Sequence, residues 1–207
     1  MHRLIMTSDA YRRHSSLLNN NQAIAIDPDN RYLWRRNATR IESQVVRDSI
    51  LSLSGKLDTT IGGPSVPMNQ QNDSLRRSIY FFHSNNERNT FLTTFDEALV
   101  KECYRRDQSI VPQQALALSN SQLVLDSAKS IAERIDSQHS QEDDFIAQAF
   151  LEVLGIKPDV QMIASSKLAM QQWQALDDTG LGQGSPIKDR ILLVWTLLNH
   201  NDFVTLR

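Results

Sequence analysis

The segment PQQALALSNSQLVLDSAKSIAERID, residues 112–136, sets the fold class of this chain. Pro112 suits the first position of a helix, where its missing N–H leaves nothing unpaired and its fixed φ is already helical. Ala115, Leu116, Leu118, Leu123, Leu125, Ala128, Ile131, Ala132 and Ile135 then recur in steps of three and four, the period of an amphipathic helix with one apolar stripe. A break is expected near Ser119-Asn120, where two residues that bond their own backbone sit together.

The same period continues towards the C-terminus. Phe145, Ile146, Ala149, Phe150, Val153 and Leu154 form a second stripe that stops at Gly155, a residue suited to a left-handed helix end. Lys157-Pro158-Asp159 turns the chain into a helix through about Leu176, residues 177–186 form a loop with three glycines and a proline, and Ile187 to Leu198 makes the last helix, with an extended end at Phe203-Val204. In the N-terminal half, Leu4, Ile5 and Tyr11 look like the end of an uncapped helix, Asn19 to Gln22 is a loop, and Asp27-Pro28-Asp29-Asn30 carries turn chemistry. Leu33, Trp34, Ile41, Val45, Val46, Ile50 and Leu53 predict a helix from Arg31 to Leu53, closed by Gly55. Residues 58–75, with Gly62-Gly63-Pro64 and Pro67, read as irregular, and Ser78-Ile79-Tyr80-Phe81-Phe82 reads as a buried extended segment with no evident partner strand. The expected fold is mainly α: an irregular helical domain of five or six helices with one short extended segment, residues 1–207 being a single domain.

Composition excludes several classes. At 207 residues, 40% hydrophobic and 22% charged, the chain can bury a sizeable core and is neither fibrous nor disordered by composition. A net charge of −2 gives no field that draws the molecule to nucleic acid, and the aromatic content of 7% is not interleaved with a basic run. No nucleic-acid partner is expected. The longest apolar run, Ile191 to Leu198, falls far short of a membrane span. One cysteine, Cys103, excludes an intrachain disulfide and a thiolate metal cluster, and leaves the compartment open. The N-terminus lacks the apolar core and cleavage site of a signal peptide.

Local chemistry is sparse. His2, His14, His83, His139 and His200 include no pair at three- or four-residue spacing, so no metal site is expected, and the pattern for covalent haem attachment is missing, so no cofactor is expected either. Gly62-Gly63-Pro64 lacks the spacing and lysine of a phosphate loop. Cys103 with His83 could form a thiolate pair, against the simpler reading of a small buried apolar residue. The carboxylates Glu42, Asp48, Asp96 and Glu97, with Arg47, Arg76, Arg77, Arg105 and Arg106, stand beside apolar segments. Their default reading is an ion-pair network tying the extended segment to helices, because a buried charge is costly unless paired; the sharper one is a site gripping an anionic or sugar-like ligand. The candidate catalytic residues are Asp48, Asp96 and Cys103, and the candidate ligand-binding residues are Arg77, His83, Arg106 and Asn120.

The residues also carry a resemblance. Leu4 to Ser8 with Tyr11-Arg12, Asp27 to Asn30 with Trp34-Arg35, Arg40-Ile41-Glu42 with Arg47-Asp48, and Gly62-Gly63-Pro64 occur in order, followed by Arg77 to Tyr80, Phe95-Asp96, Cys103, Arg106, Ser109 and Pro112. Gln114-Ala115-Leu116, Asn120, Leu198-Asn199, Asn201 and Phe203 complete the set. With these the chain resembles the C-terminal part of the planctomycete-type domain-of-unknown-function family 1553. Ala98 stands where that family has proline, and Asp202 where it has glutamate. The resemblance implies that the chain is the C-terminal part of a larger domain in a multidomain protein, exported to the periplasm or beyond, with other domains of that protein as its partners. It implies no catalytic residue. Three functions follow as expectations: a non-catalytic interaction or scaffolding module, a hydrolase-like domain acting on carbohydrate or another extracellular polymer with Asp48 and Asp96 as acid and base, or a docking domain for a neighbouring cytochrome-like module.

Overall fold

The computed structural model describes residues 1–16, 20–101, 112–175 and 185–206. The chain divides into two units, Met1–Ile41 with Val204–Arg207, and Glu42–Phe203. Among the described residues there are nine α-helices, where five or six were expected, three 3-10 turns and a two-stranded sheet. The undercount comes from two short helices, Asn21–Ile26 and Thr90–Thr94, which hold too few turns to display a period, and from the break that makes two helices of residues 112–138.

The first unit contains α1 (His2–Met6), α2 (Asn21–Ile26) and β1 (Thr39–Arg40). β1 pairs antiparallel with β2 (Thr205–Leu206), Thr39 opposite Leu206 and Arg40 opposite Thr205. The expected loop at Asn19 to Gln22 is corrected at its C-terminal end, since Asn21 and Gln22 already belong to α2. The expected helix from Arg31 is corrected as well. The Asp27 carboxylate accepts from the Arg31 and Tyr32 amides at 2.9 and 2.8 Å, its carbonyl accepts from Trp34 Nε1 at 2.9 Å, and Asn30 and Leu33 are left-handed at φ 56° and 55°. A side chain that captures the next amides competes directly with helix formation, so the apolar spacing of Leu33 and Trp34 is overridden.

The second unit begins with α3 (Ser43–Leu53), which buries Val46, Arg47, Ile50 and Leu51. An irregular passage follows, with 3-10 turns at Met68–Gln70 and Ser78–Tyr80. The expected extended segment at Ser78 to Phe82 is thus a 3-10 turn followed by a single parallel bridge, Val66 with Phe81, and only one face is covered: Phe81 is buried while Ile79 and Phe82 are exposed. Val66, Phe81 and Leu92 form a small core with Tyr80 and Phe91 against it. Gln71 lies fully buried there, its amide donating to the Val66 and Phe82 carbonyls at 3.3 and 2.9 Å and its oxygen accepting from Asn89 at 3.2 Å. Asn89 in turn caps α4 (Thr90–Thr94) by accepting from the Leu92 amide at 3.1 Å. These bonds replace the ladder that a sheet would have supplied to the buried backbone.

The break near Ser119-Asn120 is present: α5 (Pro112–Ser119) ends there and α6 (Gln122–Gln138) begins two residues beyond Asn120. α7 (Glu142–Leu154) ends on Gly155 at φ 70°, α8 (Val160–Gln174) starts on the Asp159 cap, which accepts from the Met162 amide at 2.7 Å, and α9 (Lys188–Leu198) packs against α6, α7 and α8. Ile191, Val194, Leu197 and Leu198 of α9 meet a core of Ala128, Ile131, Ile135, Phe145, Ile146 and Met170. The chain after α9 makes a 3-10 turn over Asn201–Val204, not an extended end, and becomes extended only at Thr205.

Candidate functional site

Consecutive helix positions point about 100° apart, so Arg47 and Asp48 of α3 leave the helix in different directions. Arg47 is 3% exposed and lies over the Phe81 ring at 4.5 Å. Its guanidinium donates to the Arg76 carbonyl at 3.0 Å, the Ser78 hydroxyl at 3.2 Å and the Ser74 carbonyl, so three acceptors before Phe81 meet the same fork. Burial lowers the Arg47 pKa, and the neighbouring Asp48 charge acts against that shift. Asp48 Oδ1 accepts from the Ser78 amide at 2.9 Å and the Ser78 hydroxyl at 2.7 Å, while Oδ2 faces Arg77 Nε at 3.7 Å. The two side chains together fasten the Ser78–Tyr80 turn to α3.

Arg76 goes the other way. It stacks over Tyr80 at 4.1 Å, donates to the Pro64 carbonyl at 2.9 Å and donates to the Gly62 carbonyl, while the Gly62 amide donates to the Tyr80 hydroxyl at 3.0 Å. Gly62 and Gly63 sit at φ 83° and 87°, values open to glycine at no steric cost. The Gly-Gly-Pro segment is therefore a cradle for Arg76 and not a phosphate loop.

A cleft of about 630 Å³ opens between α3, the Ser78–Tyr80 turn and the chain after α4, within the usual range of roughly 300–1,000 Å³ for ligand sites. Asp48, Arg77, His83 and Glu97 line it. His83 Nδ1 lies 3.1 Å from Glu97 Oε1, and the Glu97 side chain is 4% exposed. Arg77 is 52% exposed and, among the described residues, meets only Asp48. Val45, Ile79, Leu99 and Val100 form exposed apolar walls.

The sequence candidates separate accordingly. Asp48, Arg77 and His83 come together in this cleft. Asp96 does not line it: it holds the left-handed position after the end of α4 at φ 58°, and its carboxylate accepts from Gln114 Nε2 at 3.4 Å. That kink is what sends Glu97, singled out in the sequence with the carboxylate and arginine set but not among the named catalytic or ligand-binding candidates, into the cleft. Asn120 is exposed at the end of α5, away from the lining. Cys103 and Arg106, with Arg105, lie outside the described residues. What the sequence did not show is that Glu97, directly after the Phe95-Asp96 helix stop, is the member of that set turned towards His83. No group of three or more His, Cys, Asp or Glu among the described residues could hold a metal ion, and none of the described helices is long and apolar enough to cross a membrane.

The model of the PSD1 family, described as a protein of unknown function (DUF1553), matches residues 1–168. The chain belongs to this family. The matched segment contains the whole cleft and stops within α8, so the geometry around Asp48, Arg77, His83 and Glu97 is carried by the part that makes the chain a PSD1 member. No curated protein and no solved structure matches the chain.

Proposed function

We infer that the chain is an interaction module whose cleft holds an extended, largely apolar peptide segment and pairs an acidic group of that segment with Arg77. The observation that carries this reading is the division of charge at the cleft. Asp48 is engaged by Ser78 and Arg77, and His83 faces Glu97, whereas the Arg77 guanidinium lines the cleft and is half exposed. A general acid or base must exchange a proton at its reacting oxygen; at Asp48 that exchange would loosen the bonds that hold the Ser78–Tyr80 turn. Apolar walls beside Arg77, the one Lys or Arg among the described lining residues, match a partner with apolar side chains and one carboxylate, because apolar contact supplies affinity and the charge pair supplies register.

A display library of ten-residue extended peptides, selected on the folded chain, tests this. Enriched sequences should carry Asp or Glu flanked by apolar residues, and Arg77→Ala should weaken their binding by about tenfold, roughly the loss of one charged hydrogen-bonded contact. Enrichment of peptides without an acidic group, or binding indifferent to Arg77→Ala, would overturn it.

A further inference from the structure

Arg77 precedes the Ser78–Tyr80 turn and His83 follows it, and both line the cleft. His83 Nδ1 lies 3.1 Å from Oε1 of Glu97, whose side chain is 4% exposed. An ionised carboxylate only accepts hydrogen bonds, so this contact places a proton on Nδ1 and fixes the tautomer of the neutral ring. Nε2 then carries the lone pair. That nitrogen makes no hydrogen bond among the described residues and keeps accessible surface, in a side chain that is 30% exposed. A ligand in the cleft can therefore reach it.

What Nε2 offers depends on the charge of the ring. Neutral, it is an acceptor that suits an N–H or O–H and repels a carboxylate; protonated, it is a cationic donor that suits a carboxylate. Histidine is the side chain that exchanges these forms between about pH 8 and 5. The other ionisable groups of the described lining are Glu42 and Asp48 on the α3 side, Arg77 before the turn and Glu97 after α4. Three carboxylates face one guanidinium there, so a second acidic group on a ligand meets negative surroundings until His83 takes up its proton.

Given the peptide reading of this cleft, on which it rests, we propose that His83 is a pH-set selector. Neutral His83 takes a hydrogen-bond donor of the bound segment. Protonated His83 takes a second Asp or Glu, besides the one held by Arg77.

The same ten-residue display library, selected on the full chain at about pH 8 and at about pH 5.5, tests this. Peptide carboxylates stay ionised at both values, so a change in the selected sequences reports on the protein. One Asp or Glu should be enriched at the higher pH and two at the lower, and synthetic two-acid peptides should bind about tenfold tighter at the lower pH. His83→Gln, whose amide does not change charge, should enrich one acidic residue at both. By NMR, the His83 Cε1–H signal should titrate at higher pH with a two-acid peptide bound than without it, since a ligand that prefers the protonated ring must favour proton uptake in return. That readout uses the parent chain and decides the matter even where His83→Gln fails to fold. One acidic residue at both pH values, two-acid peptides that bind His83→Gln as they bind the parent, or an unmoved His83 titration would overturn the proposal and leave the Arg77 contact standing. No acidic residue at either pH would overturn both.

Discussion

At the residue scale, one step of helix rotation separates a buried cation, Arg47, from a carboxylate at a cleft edge, Asp48. Arg47 reaches the Ser74 and Arg76 carbonyls and the Ser78 hydroxyl. Arg47→Ala would leave these acceptors buried and Asp48 without its neighbour, so a loss of about 3 kcal/mol or more is expected in urea unfolding. Arg47→Lys should lose nearly as much, because a single ammonium cannot reproduce the fork that meets several acceptors at once. The sequence made Arg47 and Asp48 visible as charges beside apolar residues. It could not say which was buried, because both carry charge and only the phase of α3 decides between them.

At the element scale, the C-terminal helices were legible, and so were the N-terminal helix around Leu4-Ile5 and the part of the Arg31 to Leu53 helix that stands as α3; the short α2 and α4 were not. α6, α7 and α9 repeat apolar residues through three or more turns, and the stop at Gly155 and the cap at Asp159 lie where their residue types place them. The absent first part of the helix expected from Arg31 and the 3-10 turn where an extended segment was expected at Ser78 share one cause. In both places a carboxylate distant from the apolar pattern, Asp27 or Asp48, captures backbone amides and sets the local conformation. The pairing of His83 with Glu97 was illegible for a related reason, since it depends on the left-handed turn at Asp96. A pH effect belongs at this scale as well. Arg134 of α6 donates to Glu152 of α7 at 2.6 Å and to the Leu53 carbonyl at 3.0 Å, linking three helices. Burial alone would raise the Glu152 pKa; the hydrogen bonds from Arg134 and Gln148 and the Arg134 charge outweigh it, so the carboxyl sits below its ordinary value. A folded-state pKa lowered in this way contributes stability that is present above the ordinary value and is lost as pH falls through the lowered one. Unfolding free energy should therefore fall on acidification below the ordinary glutamate range, and Glu152→Gln should flatten that part of the profile.

At the scale of the Glu42–Phe203 unit, the helices around α9 supply the apolar core, and the irregular passage between α3 and α5 carries the cleft. That passage is built from side-chain-to-backbone bonds through Arg47, Asp48, Gln71, Arg76 and Asn89. By our proposal Asp48 is structural and Arg77 is the residue offered to a partner. Chemical unfolding of Asp48→Ala beside Arg77→Ala separates the two roles. Asp48→Ala should lose about 2 kcal/mol or more, since two donors of Ser78 lose their acceptor, and Arg77→Ala should lose less than about 1 kcal/mol, as exposed charge pairs do. An Asp48→Ala protein as stable as the parent, or more stable, would contradict the claim and mark the carboxylate as one retained for chemistry at the expense of stability.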